Sequence, residues 1–282
     1  MNQIYYVNDA KITVKGFCPV DVCGIWEAEK LSSFRYLKGD YSIKIEYDNK
    51  TVYITDFAGT QSSNQLPRNS TIVLEDNMIT SFQQNWKTSG KFYQYPQGFK
   101  KKKSFDDFFQ AIDDAVALRI TDNPTITMSS GHDSGVITAS AHKQKLKFNV
   151  LSIKSIENYK ILSERIKLVN GEIIDGLREG GGQEFIVNFI PSSTVISGLG
   201  ADELYSTGDD ELMGEFYNDM NTLYESRGMT KRFPLSDYTV WKEYFSLGMT
   251  PTEEKLKIPF EKYMEAHNFP VHYGEKIPFG IQ

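Results

Sequence analysis

Between residues 124 and 196 the sequence keeps switching its period, and that alternation constrains the fold more than any other feature of the chain. Pro124-Thr125-Ile126-Thr127-Met128 reads as a strand, Ser129–Ser134 as a loop of small residues, Gly135–Lys143 as a helix and Phe148–Ile153 as a strand. Ser163–Val169 is predicted helical, Glu184–Ile190 helix or strand, and Thr194-Val195-Ile196 a strand. Short apolar strands separated by helical stretches imply a parallel sheet with right-handed crossovers, an α/β fold. Just upstream, Phe105, Phe108, Phe109, Ile112, Val116 and Ile120 recur at helical spacing. Ser104 suits the N-cap of that helix, and Asp106 and Asp107 suit the positive end of its dipole.

The first ninety or so residues follow a different rule. Tyr41-Ser42-Ile43-Lys44-Ile45-Glu46-Tyr47 alternates apolar and polar residues, Asp48-Asn49-Lys50 reads as a turn, and Thr51-Val52-Tyr53-Ile54-Thr55 follows directly. A hairpin is expected there, with another strand at Thr71-Ile72-Val73-Leu74 and a loop over Gln61–Asn69. Tyr95-Pro96-Gln97-Gly98 and the run Lys100–Lys103 then mark a change of regime. Two domains are expected: a small β-rich one over residues 1–97 and an α/β one over 98–282.

Composition narrows the function. A net charge of −6 and a pI near 5.4 offer no domain-wide basic face, which argues against a nucleic-acid binder. Lys100–Lys103 is the one basic cluster and reads as a solvated linker. Phe92-Tyr93-Gln94-Tyr95 reads as sheet core rather than a base-stacking platform, and Gly180-Gly181-Gly182 as a flexible connector. Cys18 and Cys23 lack the CxxC spacing of redox and zinc sites, and His142, His267 and His272 show no HExxH pairing. No G-x-S-x-G elbow of a serine hydrolase occurs. The N-terminus has neither the basic nor the apolar region of a signal peptide, and no stretch reaches the roughly 18 apolar residues of a membrane helix. A soluble cytoplasmic protein is expected.

Chemistry is expected at two strand ends. In Met128-Ser129-Ser130-Gly131-His132-Asp133-Ser134-Gly135, a strand stops at small residues and a helix begins, so backbone N–H groups and the helix dipole can approach an oxyanion. Ser129, Ser130 and Ser134 add hydroxyl donors. The carboxylate of Asp133 would repel a bare phosphate and suggests a metal ion between the two. His132 either packs beside the loop or, when protonated, contacts the anion. In Val195-Ile196-Ser197-Gly198-Leu199-Gly200-Ala201-Asp202-Glu203-Leu204-Tyr205, a second β-branched strand runs into a glycine-containing turn bearing carboxylates. Ligands of open α/β sheets sit at the carboxyl ends of strands, so both turns can face one cleft and Asp202 can join Asp133 on one metal. Taken singly, each turn reads more readily as a structural one, with Asp202 and Glu203 capping a helix.

In this order the two segments carry a resemblance. Ser129–Ser134 resembles the SGGxDS pyrophosphate loop of the PP-loop ATP pyrophosphatases, and Ser197–Tyr205 resembles the SGxGADELF segment of the asparagine synthetase and β-lactam synthetase family. Arg232-Phe233-Pro234-Leu235-Ser236-Asp237 and Lys276-Ile277-Pro278-Phe279-Gly280 are similar to stretches nearer that family's C-terminus. Lys38–Ile43 and Thr55–Thr60 are similar to parts of its glutamine amidotransferase-like N-terminal domain. The resemblance implies an ATP- and magnesium-dependent carbon–nitrogen ligase that adenylates a carboxylate and forms an amide. It implies β- and γ-phosphates on the loop Ser129–Ser134, magnesium on Asp133 and Asp202, and adenosine against the backbone near Met128, Ile153, Ser197 and Gly198. It also implies Lys276 near the α-phosphate.

Three departures shape the expectation. Asn2 stands where the family's glutaminases carry their nucleophilic cysteine, so ammonia or a substrate amine, not glutamine hydrolysed by this chain, would supply the nitrogen. Leu199 replaces a substrate-binding glutamate, which makes aspartate a poor candidate substrate. Only Ser206–Lys231 separates the second turn from Arg232, so the acceptor pocket would be open, or completed by another copy or a partner chain. Two other functions fit the same loop: modification of a nucleobase or tRNA, and a non-catalytic nucleotide-binding remnant.

Overall fold

The computed structural model describes residues 2–19, 21–23, 38–56, 58, 60–61, 70–75, 78–84, 100–154, 158–175, 182–202, 205, 210–248 and 257–273. It is an α/β structure with two sheets, one antiparallel and one parallel.

The antiparallel sheet is a meander of six strands in sequence order: β1 (Asn2–Val7), β2 (Ala10–Phe17), β3 (Asp40–Tyr47), β4 (Lys50–Thr55), β5 (Ser70–Glu75) and β6 (Met78–Gln84). Asn8 and Asp9 join β1 to β2 with φ of 46° and 62°, the left-handed pair that matches a two-residue hairpin to strand twist. The expected hairpin is β3–β4, with Ile43 opposite Ile54 and Ile45 opposite Val52. Because side chains alternate between faces, these four share one buried face with Ala10, Ile12 and Val14 of β2.

The second unit opens with α1 (Asp106–Arg119), whose N-cap is Phe105 and not the expected Ser104; the Ser104 hydroxyl, one residue further out, accepts from the Asp106 N–H at 3.1 Å. Next come β7 (Thr125–Thr127), α2 (His132–Lys143), β8 (Asn149–Ile153), α3 (Tyr159–Val169), β9 (Glu172–Ile174) and the one-turn α4 (Gly182–Ile186). After β10 (Thr194–Ile196) follow α5 (Asp210–Glu225), β11 (Thr230–Arg232), α6 (Tyr238–Ser246) and α7 (Ile258–Ala266). The segment read as helix or strand, Glu184–Ile190, divides between α4 and a 3₁₀ turn at Val187–Phe189. The short stretch before Arg232 still holds the four-turn helix α5.

All pairs in the second sheet are parallel, and the spatial order is β11-β10-β7-β8-β9. The chain steps outward from β7 to β9, then returns to lay β10 and β11 on the other side of β7. Strand order therefore reverses between β7 and β10, and the crevice beyond the carboxyl ends of two such strands is where open α/β sheets place ligands. All three residues of β7 and of β10 are buried, as expected when helices cover both faces. α1 packs on α6 and α2 on α7, and their apolar faces join β7 in the main core.

The two sheets meet around Arg119 at the end of α1. Its guanidinium, fully buried, donates to Asp40 Oδ2 (2.8 Å) and Oδ1 (3.1 Å) of β3 and to Asp237 Oδ2 (3.0 Å) before α6. The carbonyls of Ala115 and Gly39 take further N–H groups at 3.3 and 3.2 Å, so all five guanidinium donors are placed. The lysine run joins the fold as well, since Lys102 reaches Asp107 at 2.6 Å and Glu243 at 2.5 Å. Phe92–Tyr95 and Gly180-Gly181 lie outside the described residues. Among the described residues no helix is long and apolar enough to cross a membrane.

Candidate functional site

β7 delivers the first loop. Met128 donates its N–H to the Leu151 carbonyl (2.9 Å) and accepts the Ser152 hydroxyl on its own carbonyl (2.6 Å), which fixes the strand end against β8. Met128 and Ile153 are fully buried in apolar clusters, and both backbone polar groups of Met128 are taken up by β8, so neither residue offers a side chain to a ligand. Beyond Met128 the loop is shorter than its sequence implied. Gly131 is extended (ψ 173°) and caps α2, which starts at His132, so Asp133 and Ser134 already stand in the first helical turn.

The three serines brace this loop. Ser134 Oγ accepts the Ser129 N–H at 2.9 Å and lies 2.8 Å from Ser129 Oγ, which accepts the Gly131 N–H at 3.1 Å. Ser130 Oγ accepts the Asn158 N–H at 3.2 Å, tying the loop to the start of α3. The first-turn N–H groups of α2 have no carbonyl four residues back within the helix, which leaves a partial positive charge at this end.

β10 delivers the second loop. Ser197 continues the sheet by donating to the Arg232 carbonyl at 3.0 Å, and its hydroxyl accepts the Leu199 N–H at 3.2 Å. Gly198 is where the two loops touch. A Cβ there would lie 2.6 Å from both the Asp133 carbonyl carbon and the Ser134 nitrogen, so only glycine permits this approach. Gly200 takes a left-handed φ of 93°, and a Cβ there would meet the Tyr217 hydroxyl at 2.0 Å. The turn that follows brings Asp202 round to face Asp133.

A third element completes the site. Lys257, immediately before α7, contacts both carboxylates: its Nζ lies 2.5 Å from Asp202 Oδ1 and in ion-pair contact with Asp133 Oδ1. Burial works to lower the pKa of this ammonium, but Asp133 and Asp202 outweigh it and hold the value above that of an ordinary lysine. The three side chains are 15% (Lys257), 23% (Asp133) and 24% (Asp202) exposed, so the cluster opens to solvent instead of being sealed in the core. The two aspartates expected to meet do meet, across a cation. Sequence reasoning missed Lys257; Pro259, at the start of a helix, was the only local signal nearby. The expected lysine, Lys276, lies outside the described residues, as do Glu203 and Leu204.

His132 packs beside the loop. Burial, followed by the nearby charge of Lys257, pulls its pKa down to about 4 despite a contact with the backbone of His272. The ring is thus neutral near pH 7, and its 3.1 Å approach to Glu261 is not an ion pair. Protonated contact with an anion is not the state the loop favours.

No protein-family model matches this chain, and no curated protein matches it either. The functional reading therefore rests on the chemistry of the site. Two carboxylate oxygens, one from the first turn of α2 and one from the segment after β10, converge on one positive charge at the point where strand order reverses. Such a donor pair fits a divalent ion that completes its shell with water and phosphate oxygens, the usual manner of magnesium. The position filled by the Lys257 ammonium shows that the cluster accommodates a cation.

Proposed function

We propose that the cleft between β7 and β10 binds ATP with magnesium and drives amide formation through an acyl-adenylate. One observation supports this above all: Asp133 and Asp202, just beyond the two strand ends that flank the reversal of strand order, share one cation. The motifs resembling the asparagine synthetase and β-lactam synthetase family fall on those same two loops, which favours a PP-loop type of sheet.

In this reading the first-turn amides of α2 and the loop Ser129–Gly131 receive the β- and γ-phosphates. Adenosine lies along the backbone of Met128, Ile153, Ser197 and Gly198. Asp133 and Asp202 would hold magnesium, which supplies positive charge to the phosphate oxygens. A substrate carboxylate attacks the α-phosphorus, an O–P bond forms, and the bond to the β-phosphate oxygen breaks to release pyrophosphate. The amine nitrogen then attacks the acyl carbon, the C–O bond breaks, AMP leaves and the nitrogen loses a proton. Lys257, already at the carboxylates, is the ammonium best placed to offset charge on the phosphates, a service worth on the order of 3 kcal/mol. The amine or ammonia enters as a separate substrate.

Carboxylate-dependent exchange of labelled pyrophosphate into ATP tests the proposal. Exchange with at least one acid of a broad panel, abolished by Asp133→Ala and by Asp202→Ala, is the expected result. Absence of ATP–magnesium binding by calorimetry would reduce the chain to a remnant without nucleotide chemistry. An adenylated nucleobase or RNA in place of an acyl-adenylate would move it to the base-modifying enzymes.

A further inference from the structure

Arg165, on α3, is fully buried and lies behind the loop Ser129–Gly131, on a helix for which the proposed reaction has no use. One terminal nitrogen, Nη1, donates to the carbonyls of both Ser129 and Gly131, each at 2.7 Å. Nε donates to the Pro270 carbonyl at 2.9 Å, Nη2 lies 3.6 Å from the Met264 sulfur, and the guanidinium stands 5.6 Å from the centre of the Phe269 ring. The fold reserves space for this group: a Cβ on Gly135 would lie 2.8 Å from Nη1 and from the Met264 sulfur.

A trans peptide is planar, with its carbonyl and the next N–H on opposite sides. Drawing the Ser129 and Gly131 carbonyls onto Arg165 therefore turns the N–H groups of Ser130 and His132 to the far side of the loop. Two bonds from one rigid, planar fork set both peptide planes together, which a lysine ammonium with freely rotating donors cannot do. The same fork grips Met264 in α7 and Pro270 just after it, and Lys257 immediately precedes α7. One side chain thereby links the loop to the helix whose other end reaches Asp133 and Asp202.

We propose that Arg165 is a positioning residue that sets the Ser129–Ser130 and Gly131–His132 peptide planes and so aims the His132 amide at the anion bound by this loop. The inference rests on the nucleotide reading above only for the identity of that anion. Amide hydrogen exchange without any ligand tests the positioning itself, in Arg165→Lys and Arg165→Met, with Leu162→Ala on the same helix as a reference for plain core damage. Residues 129–134 should exchange at least about tenfold faster in either arginine variant, while the amides of α1 and α6 keep their protection. Arg165→Lys, which keeps the charge, covers the case in which Arg165→Met does not fold. Unchanged exchange in the loop, or the same loop response in Leu162→Ala, would overturn the proposal.

Binding supplies the second arm. Arg165→Lys should weaken ATP by about tenfold and leave adenosine, which lacks the phosphates, unaffected. Equal losses for both ligands would make Arg165 merely structural. If wild-type protein binds no ATP while the exchange result stands, the nucleotide reading fails and the positioning role survives.

Discussion

Two clusters in this protein share one plan, a cation clamped between two aspartates from distant segments, yet they serve opposite ends. Around Arg119 the carboxylates of Asp40 and Asp237 are 1% and 2% exposed, and every guanidinium donor has a partner. Both acids are anchored further: Asp40 Oδ2 accepts the Phe233 N–H at 3.2 Å and Asp237 Oδ1 the Thr239 N–H at 2.9 Å. Around Lys257 the cation is a rotatable point charge, the cluster is partly exposed, and the acids stand just past the carboxyl ends of the central strands β7 and β10. The first arrangement can hold one geometry only and joins the two sheets. The second leaves its cation within reach of solvent. Solvent access and the shape of the charged group, not the count of charges, separate the structural cluster from the candidate functional one.

The widest gap between the two should appear on removing the cations. Arg119→Met strands two buried carboxylates and should cost about 3–5 kcal/mol in urea denaturation. A loss under about 1 kcal/mol would show the joint between the sheets to be wetter than it looks. Next in size, Gly198→Ala forces a methyl into the backbone of Asp133 and should cost about 1–3 kcal/mol. Because the strain falls where the loops touch, ATP binding should fail in calorimetry even at temperatures where the variant is fully folded; intact affinity would show that the loops can part without consequence.

Lys231 sharpens the contrast as a third kind of buried cation. Its amine lies 4.2 Å from the centre of the Tyr224 ring and 3.2 Å from Gln183 Oε1, and no carboxylate among the described residues pairs with it. Burial drives its pKa well below that of a free lysine. The unfolded chain therefore holds this proton up to higher pH than the folded one. Stability should rise with pH between the depressed folded value and the unfolded value near 10.4, then level off. Lys231→Met should raise stability at pH 7 by about 1–2 kcal/mol and flatten that slope, as measured by denaturation at pH 7 and 9.5. Smallest of all, Lys257→Met should shift stability by about 1 kcal/mol or less, since its acids keep access to solvent. Pyrophosphate exchange in the same variant should fall about a hundredfold. A stability loss matching that of Arg119→Met would place Lys257 with the structural cations.

The sequence disclosed what depends on local period and hid what depends on distance. The β3–β4 hairpin and the succession from β7 to β8 were legible because alternation and helical spacing are written in neighbouring residues. β6 was not, because Met78-Ile79-Thr80-Ser81-Phe82-Gln83-Gln84 has no clean alternation. The helix expected at Gly135 begins at His132 because Gly131 is extended and ends the loop early. Asp133 and Asp202 could be named from their strand-turn settings. Lys257 and Arg165 could not, since a lysine before a helix and an arginine within one look ordinary until the fold brings them to the loops. Arg119 was missed for the same reason: its partners are 79 and 118 residues away along the chain.

The reach of α7 has a consequence for the order in which the protein matures. Lys257 and the contacts at Met264 and Pro270 are made late in synthesis, long after both aspartates have left the ribosome. Until that helix docks, the growing chain carries two mutually repelling acids at a half-built cleft. The cluster that Asp133 and Asp202 share with Lys257 is thus completed only once the last described helix is in place.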